Sequence, residues 1–316
     1  MSVSERSAAA TGKGEGSTLA RSLRGALQRN APGYLFLAPW LIGFLCLTLG
    51  PALMSLYLSF TDFDLLQAPN FVGLQNYIRM ATADPKFIAA MRVTFLYVIL
   101  SVPLKLAFAL AVAMMLNRGL KGLPIYRAVF YLPSLLGASV AIAVLWRQLF
   151  AADGMVNSVL AVFGIEGPSW ISNPRYSLYT LVVLSVWQFG SPMIIFLAGL
   201  RQIPTDMYEA ASLDGASSSR QFWKITLPLL SPVIFFNFVI QTIEAFKAFT
   251  PAFIVSGGTG GPINSTLFYT LYLYQEAFGN FRMGYASALA WLLVIIIAIF
   301  TAFSFLSTRY WVHYDE

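Results

Sequence analysis

Four polar residues recur on one side of an apolar run in the C-terminal third of the chain. Asn237, Gln241, Glu244 and Lys247 follow one another at intervals of four, three and three, which places them on one face of a helix. Ionisable groups inside apolar helices are costly and usually face a bundle interior or a water-filled cavity. These groups would bind a polar ligand by hydrogen bonds. The alternative is an intrahelical Glu244–Lys247 ion pair that only stabilises packing.

Two other apolar runs carry groups that could complete such a site. Ser185, Trp187, Gln188 and Ser191 lie together in one run, and Trp291 lies in the last. Amides and hydroxyls hydrogen-bond a polar ligand, and the indole rings offer flat faces for stacking.

Two further cations lie inside apolar runs. Lys105 is expected to pair across helices, with a partner that the sequence does not name, and Arg147 to extend to the membrane interface.

The usual catalytic constellations are missing from the sequence. The single histidine, His313, lies near the C-terminus, and the single cysteine, Cys46, lies inside an apolar run. Neither paired acids nor a cluster of metal ligands is evident, and the phosphate-loop spacing is absent. The sequence therefore predicts no catalytic site, no metal site and no nucleotide cofactor bound by this chain.

The elements that position these residues are predicted to be transmembrane helices. Hydrophobic residues make up 58% of the chain and charged residues only 11%, against about a quarter in soluble domains. The apolar residues are concentrated in runs long enough to cross a bilayer. We predict an all-α polytopic membrane protein with six spans, at about 34–60, 87–116, 126–150, 177–200, 229–255 and 285–307.

Basic residues predict the orientation of these spans. Twelve Lys and Arg residues fall in the segments that are inside if both termini are cytoplasmic, and four fall in the outer connections. Residues 1–33 are predicted to form a basic, partly disordered cytoplasmic tail, and residues 312–316 a short cytoplasmic tail. The net charge of +6 is explained by this asymmetry, so nucleic acid is not an expected partner.

A polar interruption at residues 201–228 separates the fourth and fifth spans. It is predicted to form two short helices joined at Gly215, where a helix C-terminus needs a left-handed residue. Asp206 with Glu209, and Ser218 with Gln221, have the spacing of capping boxes. Pro228 is expected to mark a break before the fifth span.

The spacing of this interruption resembles that of a known family. Glu209, Ala210 and Ala211, then Asp214 and Gly215, then Ile225, Leu227 and Pro228 resemble the EAA loop of binding-protein-dependent ABC importer permeases. The stretches at 71–77 and 257–262 resemble the carbohydrate branch, of the MalF/UgpA type. The resemblance covers about residues 34–311.

The resemblance implies a function and partners. A type I importer would pair this chain with a second homologous permease and two ABC ATPase subunits, which hold ATP and Mg. An extracytoplasmic binding protein would deliver a sugar across the bacterial inner membrane. The eight EAA residues would couple to an ATPase, and later spans would supply the substrate path, for which we select Trp187, Gln188, Ser191, Asn237, Gln241, Glu244, Lys247 and Trp291.

Several questions stay open from the sequence. If Lys105 and Arg147 face the cavity, an acidic or phosphorylated sugar is favoured over a neutral one. A secondary carrier or channel would also show six spans but would not need the two-helix loop. A membrane-embedded enzyme would need a catalytic constellation that the sequence does not offer.

Overall fold

The computed structural model describes Gly33 and residues 35–118, 122–137 and 139–312. Within these residues the regular structure is helical, and the β structure is a single bridge between Thr61 and Phe71. This agrees with the predicted all-α class. The predicted tails, 1–33 and 312–316, lie outside the described residues except for Gly33 and Val312.

The chain divides into two units, residues 1–57 and 58–316. The described part of the first unit is one apolar helix, α1 (Leu35–Leu58), which extends to the first residue of the second unit and contains a π-helical segment at Phe44–Leu49. Its 24 residues are long enough to cross a bilayer.

The second unit contains the remaining helices. They are α2 (Gln75–Thr82), α3 (Pro85–Leu116), α4 (Leu123–Leu136), α5 (Val140–Leu149), α6 (Met155–Val162), α7 (Ser177–Trp187), α8 (Gly190–Leu200), α9 (Thr205–Leu213), α10 (Ser218–Gln221), α11 (Leu227–Phe246), α12 (Thr250–Val255), α13 (Tyr269–Tyr274) and α14 (Met283–Trp311).

Four of the described helices are long and apolar enough to cross a membrane. They are α1, α3, α14 and the 38-residue stretch Ser218–Val255, which comprises α10, α11 and α12. Two bent pairs, α4 with α5 and α7 with α8, bring the number to six if each pair is one span.

The spans predicted at 126–150 and 177–200 each correspond to two helices and not to one. The α7–α8 pair is bent by 43° at a short break, and α4 and α5 are likewise separate helices. The apolar runs are long enough for a straight span, so length alone does not reveal the breaks. Non-helical backbone at membrane depth is tolerated where protein groups satisfy its polar atoms or where it lines a cavity.

Helix α3 lies at the centre of the second unit. It packs against α7, α8, α11 and α13, and its inward side chains include Ala90, Ala109 and Ala113, which are fully buried. Small residues of this kind let neighbouring helix backbones approach closely within a membrane. Helix α3 therefore fixes the positions of α7, α8, α11 and α13 relative to one another.

Helix α13 belongs to the core, although the sequence predicted an outer connection there. Its first residue, Tyr269, is fully buried, donates its backbone N–H to Thr94 Oγ1 at 2.8 Å, and donates its hydroxyl to the Leu289 carbonyl at 2.7 Å. The apolar, aromatic stretch 267–272 is too short to span a bilayer, so the sequence predicts a loop there.

The first turn of α3 is fixed by Asp84. Its carboxylate accepts backbone N–H groups from Lys86 at 3.0 Å and Phe87 at 3.1 Å, as an N-cap does. The hydroxyls of Tyr272 and Tyr285 also donate to this carboxylate. Asp84 thus joins the start of α3 to α13 and to the start of α14.

Candidate functional site

The polar loop between α8 and α11 begins with α9. Glu209, Ala210 and Asp214 are exposed on this part of the chain, while Ala211 is half-buried. The predicted Asp206–Glu209 capping box was wrong: α9 starts at Thr205, and the preceding Pro204 makes no side-chain cap bond. Asp206 lies in the first helical turn, where a negative charge is favourable by position alone.

The glycine turn agrees with the prediction. Gly215 has φ of +77°, a left-handed conformation that costs little only for glycine. The turn is closed by two backbone bonds, from Gly215 N to Ser212 O at 3.0 Å and from Ala216 N to Ala211 O at 2.9 Å. This pattern ends α9 and reverses the chain within three residues.

The second helix is capped one residue earlier than predicted. Ser217, not Ser218, is the N-cap and accepts the Arg220 N–H at 3.4 Å. Gln221 instead reaches back across the turn, and its side chain donates to Ser212 Oγ at 2.9 Å and to the Ala216 carbonyl at 3.3 Å. A second bond, 2.9 Å between the Tyr208 and Thr226 hydroxyls, ties the two arms of the loop together.

The expected helix break at Pro228 does not occur. Helix α10 passes through a π-helical segment, Phe222–Thr226, directly into α11, where Pro228 lies in the first turn. A proline lacks the N–H that the helical ladder uses, and this one occurs where the ladder has already changed register. Ile225, Leu227 and Pro228 are half-buried at this junction. The loop is therefore continuous with the span that carries the polar face.

The outward face of the loop is partly apolar. Leu213 is 89% exposed and Trp223 61% exposed, and Glu209, one helical turn before Leu213, makes no hydrogen bond within the described residues. An exposed apolar surface with a charged neighbour is typical of a protein-docking site. Glu209 is free to pair with a cation on a partner.

The second candidate region is a cavity of about 290 Å³ inside the bundle. Its polar lining comes from four parts of the chain. They are Tyr97 and Lys105 of α3, Ser185 and Gln188 around the α7–α8 break, Gln241 and Glu244 of α11 with Lys247 directly after it, and Thr250 of α12. The sequence predicted a polar site with Ser185, Gln188, Gln241, Glu244 and Lys247. It predicted that Lys105 pairs across helices, and it did not predict the helix breaks.

Three helix breaks meet at this cavity. Gly137, Gln188 and the Ala248–Phe249 segment all line it. The broken backbones are held by cross-links between helices: Gln188 Nε2 donates to the Gly137 carbonyl at 3.1 Å, and Ser134 Oγ donates to the Gln188 carbonyl at 2.9 Å. Thr270 of α13 donates to the Ala248 carbonyl.

The cross-link between α4 and α8 has a closely approached glycine on each side. A Cβ on Gly190 would lie 2.6 Å from the Phe130 carbonyl oxygen, and a Cβ on Gly137 would lie 2.3 Å from side-chain carbons of Gln188. The first clash is with backbone, whereas the second is with a side chain. Ser191 contributes through its backbone N–H, which donates to Ser134 Oγ at 3.0 Å.

Glu244 and Lys247 form the intrahelical pair considered from the sequence. Lys247 Nζ lies 3.0 Å from Glu244 Oε1, and the side chains are 61% and 55% exposed for Glu244 and Lys247. Both still line the cavity. The exposure of this pair marks the side on which the cavity is open in the isolated chain.

Four of the eight residues predicted for the substrate path do not line the cavity. Trp187 packs near Trp146 with ring centroids 6.1 Å apart, and Ser191 braces the helix break. Trp291 is half-buried in α14. Asn237 is fully buried, and its side chain has no hydrogen-bond partner in the described part of the chain. The spacing placed Asn237 on the right face, but about 15 Å along the helix from Lys247.

Residues that the sequence reasoning missed lie mainly at the breaks. Tyr97, Gly137 and Phe249 line the cavity. The signal available for them was the pairing of small residues and prolines inside apolar runs, as at Pro133 with Gly137 and at Gly190 with Pro192.

The sequence was compared with known proteins. Residues 78–312 match the family described as "Binding-protein-dependent transport system inner membrane component". A probable ABC transporter permease protein, YesP of Bacillus subtilis, is 51% identical over 96% of this chain and 98% of its own length. The lactose transport system permease protein LacF of Rhizobium radiobacter is 32% identical over 92% and 99%.

The fold also matches a solved structure. A chain of a bacterial ABC transporter involved in the import of the acidic polysaccharide alginate superposes with a TM-score of 0.77. The alignment covers 91% of this chain and 98% of that chain at 21% identity. At this identity the match is evidence about the fold.

Proposed function

Because the chain belongs to the family of binding-protein-dependent transport system inner membrane components, we propose that it is the permease subunit of an ATP-driven carbohydrate importer. The family match covers residues 78–312, which include both the polar loop and the cavity. The relatives with named substrates support the carbohydrate class: they transport lactose, arabinooligosaccharides, and trehalose or maltose.

The proposed architecture is that of a type I importer with six spans and both termini in the cytoplasm of a bacterial inner membrane. The excess of basic residues in the inner connections supports this orientation. It places Asp84 and the start of α3 on the extracytoplasmic side and the Gly215 turn on the cytoplasmic side.

The observation that carries the proposal is the shape of the loop at residues 201–228. Its two arms are tied by the Tyr208–Thr226 bond, and its second arm is continuous with α11. A rigid element that continues into a span transmits a rigid-body movement, which a flexible loop would absorb. The exposed Leu213, Trp223 and Glu209 form the surface that would contact an ATPase subunit.

The proposed assembly contains a second homologous permease, two ABC ATPase subunits and an extracytoplasmic binding protein. ATP and Mg would bind the ATPase subunits, and closure of these subunits on ATP would move the spans from an inward-facing to an outward-facing state. A bacterial alginate ABC transporter of similar fold has been solved with a periplasmic protein bound to alginate pentasaccharide, which supports this set of partners.

The proposed substrate path runs along the cavity. Gln188 and Gln241 offer amide donors and acceptors for sugar hydroxyls, and Tyr97 and Phe249 offer aromatic faces. The open side of the cavity, at Glu244 and Lys247, would be closed by the second permease subunit.

The coupling role is tested with Glu209→Lys and Gly215→Val in the full complex reconstituted into proteoliposomes. We expect assembly to be retained while the ATP hydrolysed per sugar imported rises at least tenfold. Gly164→Val is a matched control, because Gly164 also has a positive φ and open surroundings but lies outside the loop. Normal coupling in both loop variants would refute the assignment.

A further inference from the structure

The cavity carries an uncompensated positive charge. Two lysines, Lys105 and Lys247, line it, and Glu244 is the one carboxylate among its described lining residues. Glu244 attracts both lysines but is in direct contact with Lys247 at 3.0 Å. Within the described residues, Lys105 has neither an ion pair nor a hydrogen bond.

The lack of a partner for Lys105 is unusual because of its depth in the bundle. It is half-buried in α3, eleven residues from the end of that helix at Leu116, a distance of about 16 Å at 1.5 Å per residue. A lysine side chain is too short to bring its ammonium group to the interface from there. An ionisable group at this depth normally has a partner or faces a polar pathway.

A second cavity repeats the pattern. It has a volume of about 540 Å³, lies near the start of α3 and is lined by Arg92 and Arg175 and, among the described residues, by no carboxylate. A cleft lined by positive charge raises the local concentration of anions. Cations without acidic partners therefore line both this cavity and the central cavity.

From these observations we infer that the central cavity selects a saccharide that bears a carboxylate, and that Lys105 binds this carboxylate. This inference rests on the proposed function. A single ammonium group matches the single negative charge of a uronate residue. A phosphate group carries more charge and is normally held by several donors. Among the described lining residues the only other cation is Lys247, which is paired with Glu244.

Lys247 has a different role in this inference. Its charge is neutralised by Glu244, so this pair contributes hydrogen-bonding groups for hydroxyls without adding net charge. Selection between acidic and neutral saccharides is then concentrated at Lys105, and Gln188 and Gln241 contact saccharides of either kind.

The test uses the full importer with its binding protein in proteoliposomes. ATP-dependent uptake is measured for a uronate oligosaccharide, for the same oligosaccharide as its methyl ester, and for a phosphorylated saccharide. Since the binding protein is the same in every sample, a change in the uptake ratio between variants reports on the permease. The variants are Lys105→Met, Lys105→Arg and, as a control on the same helix, the exposed Lys86→Met.

We expect wild-type protein and Lys86→Met to import the uronate in preference to the ester. Lys105→Met should lower the uronate-to-ester ratio at least tenfold, and Lys105→Arg should restore most of it. An equal loss of both substrates in Lys105→Met would overturn the inference. It would indicate that Lys105 pairs with an acidic residue of a partner subunit and does not bind the substrate carboxylate. Failure of both Lys105 variants to assemble would overturn it for the same reason.

Two results in the wild type would also overturn the inference. They are a preference for the ester and a preference for the phosphorylated saccharide. Either would leave the proposed function intact, because ATP-dependent uptake would still be observed. Absence of ATP-dependent uptake of every saccharide would instead refute the proposed function itself.

Discussion

The polar loop and the central cavity are built in opposite ways. The loop is held by contacts between residues close in sequence, the longest of its hydrogen bonds joining Tyr208 and Thr226, 18 positions apart. The cavity is held by contacts between distant helices, such as Gln188 with Gly137, 51 positions apart. A local element keeps its shape while it moves as a unit, whereas a non-local one changes shape when helices shift. This difference agrees with the coupling role proposed for the loop and with the alternating access proposed for the cavity.

The largest effect is expected at the glycines that brace the cavity. Gly190→Ala places a Cβ 2.6 Å from the Phe130 carbonyl oxygen, and backbone on both sides must shift. We expect a loss of about 1–3 kcal/mol in stability, which thermal unfolding of the purified complex measures as a lower midpoint.

The matched variant is Gly137→Ala, whose Cβ meets the side chain of Gln188 and no backbone among its three nearest atoms. Gln188 can rotate away, so the unfolding midpoint should fall less than for Gly190→Ala while sugar uptake falls more than assembly does. Equal unfolding midpoints for the two variants would show that the brace does not depend on backbone contact between α4 and α8.

The contrast also explains what the sequence predicted. The turn at Gly215 and the polar spacing from Gln241 to Lys247 were predicted correctly because both depend on neighbours within one or two helical turns. The breaks at Gly137 and Gln188 were missed because they are stabilised by side chains on other helices. Apolar composition indicates that a segment lies in a membrane. It does not indicate whether a neighbouring segment offers hydrogen-bond partners to backbone groups at the centre of that segment.

Some residues lie elsewhere than the periodicity or residue type predicts. Asn237 shares a helical face with Gln241, and periodicity alone cannot tell a buried position from one that lines the cavity. Ser217 and Ser218 are equally good caps by residue type. Gln221 does not form the predicted capping box, because its side chain bonds Ser212 Oγ and the Ala216 carbonyl instead.

An intermediate effect is expected at Asp84, a non-local contact that lies away from the cavity. Burial alone would raise the pKa of this carboxyl, but hydrogen bonds from Tyr272, Tyr285 and two backbone amides outweigh it and hold the pKa below its ordinary value. The group therefore stabilises the fold above its unfolded pKa of about 4, and this stabilisation is lost as the pH falls through the lower folded value.

Asp84→Asn tests this contact. The amide keeps the cap of α3 but loses charge-assisted bonds to the tyrosines, so we expect a loss of about 2 kcal/mol at neutral pH. The difference in unfolding midpoint between wild type and variant should narrow below about pH 4. A difference that stays constant with pH would mean that the carboxylate charge contributes nothing. Asp64→Asn, at a half-buried loop carboxylate that accepts only local backbone bonds, is the control.

The smallest effect on stability is expected inside the loop, at the Tyr208–Thr226 bond. Tyr208→Phe removes one partner of this hydrogen bond, worth about 0.5–1.5 kcal/mol. Thr226→Val removes the other partner and also a longer bond, 3.5 Å, from Thr226 Oγ1 to the Gln221 carbonyl. The bonds that close the Gly215 turn and the bond from Gln221 to Ser212 remain, so the loop should stay folded and the unfolding midpoint should change little.

What should change is the rigidity between the two arms of the loop, and with it the ATP hydrolysed per sugar imported. A double-mutant cycle on that ratio tests whether the two residues act through their shared bond. If the bond transmits movement, the double variant hydrolyses no more ATP per sugar than either single variant. If the two effects simply add, each residue acts on its own, and the rigidity of the loop comes from the glycine turn alone.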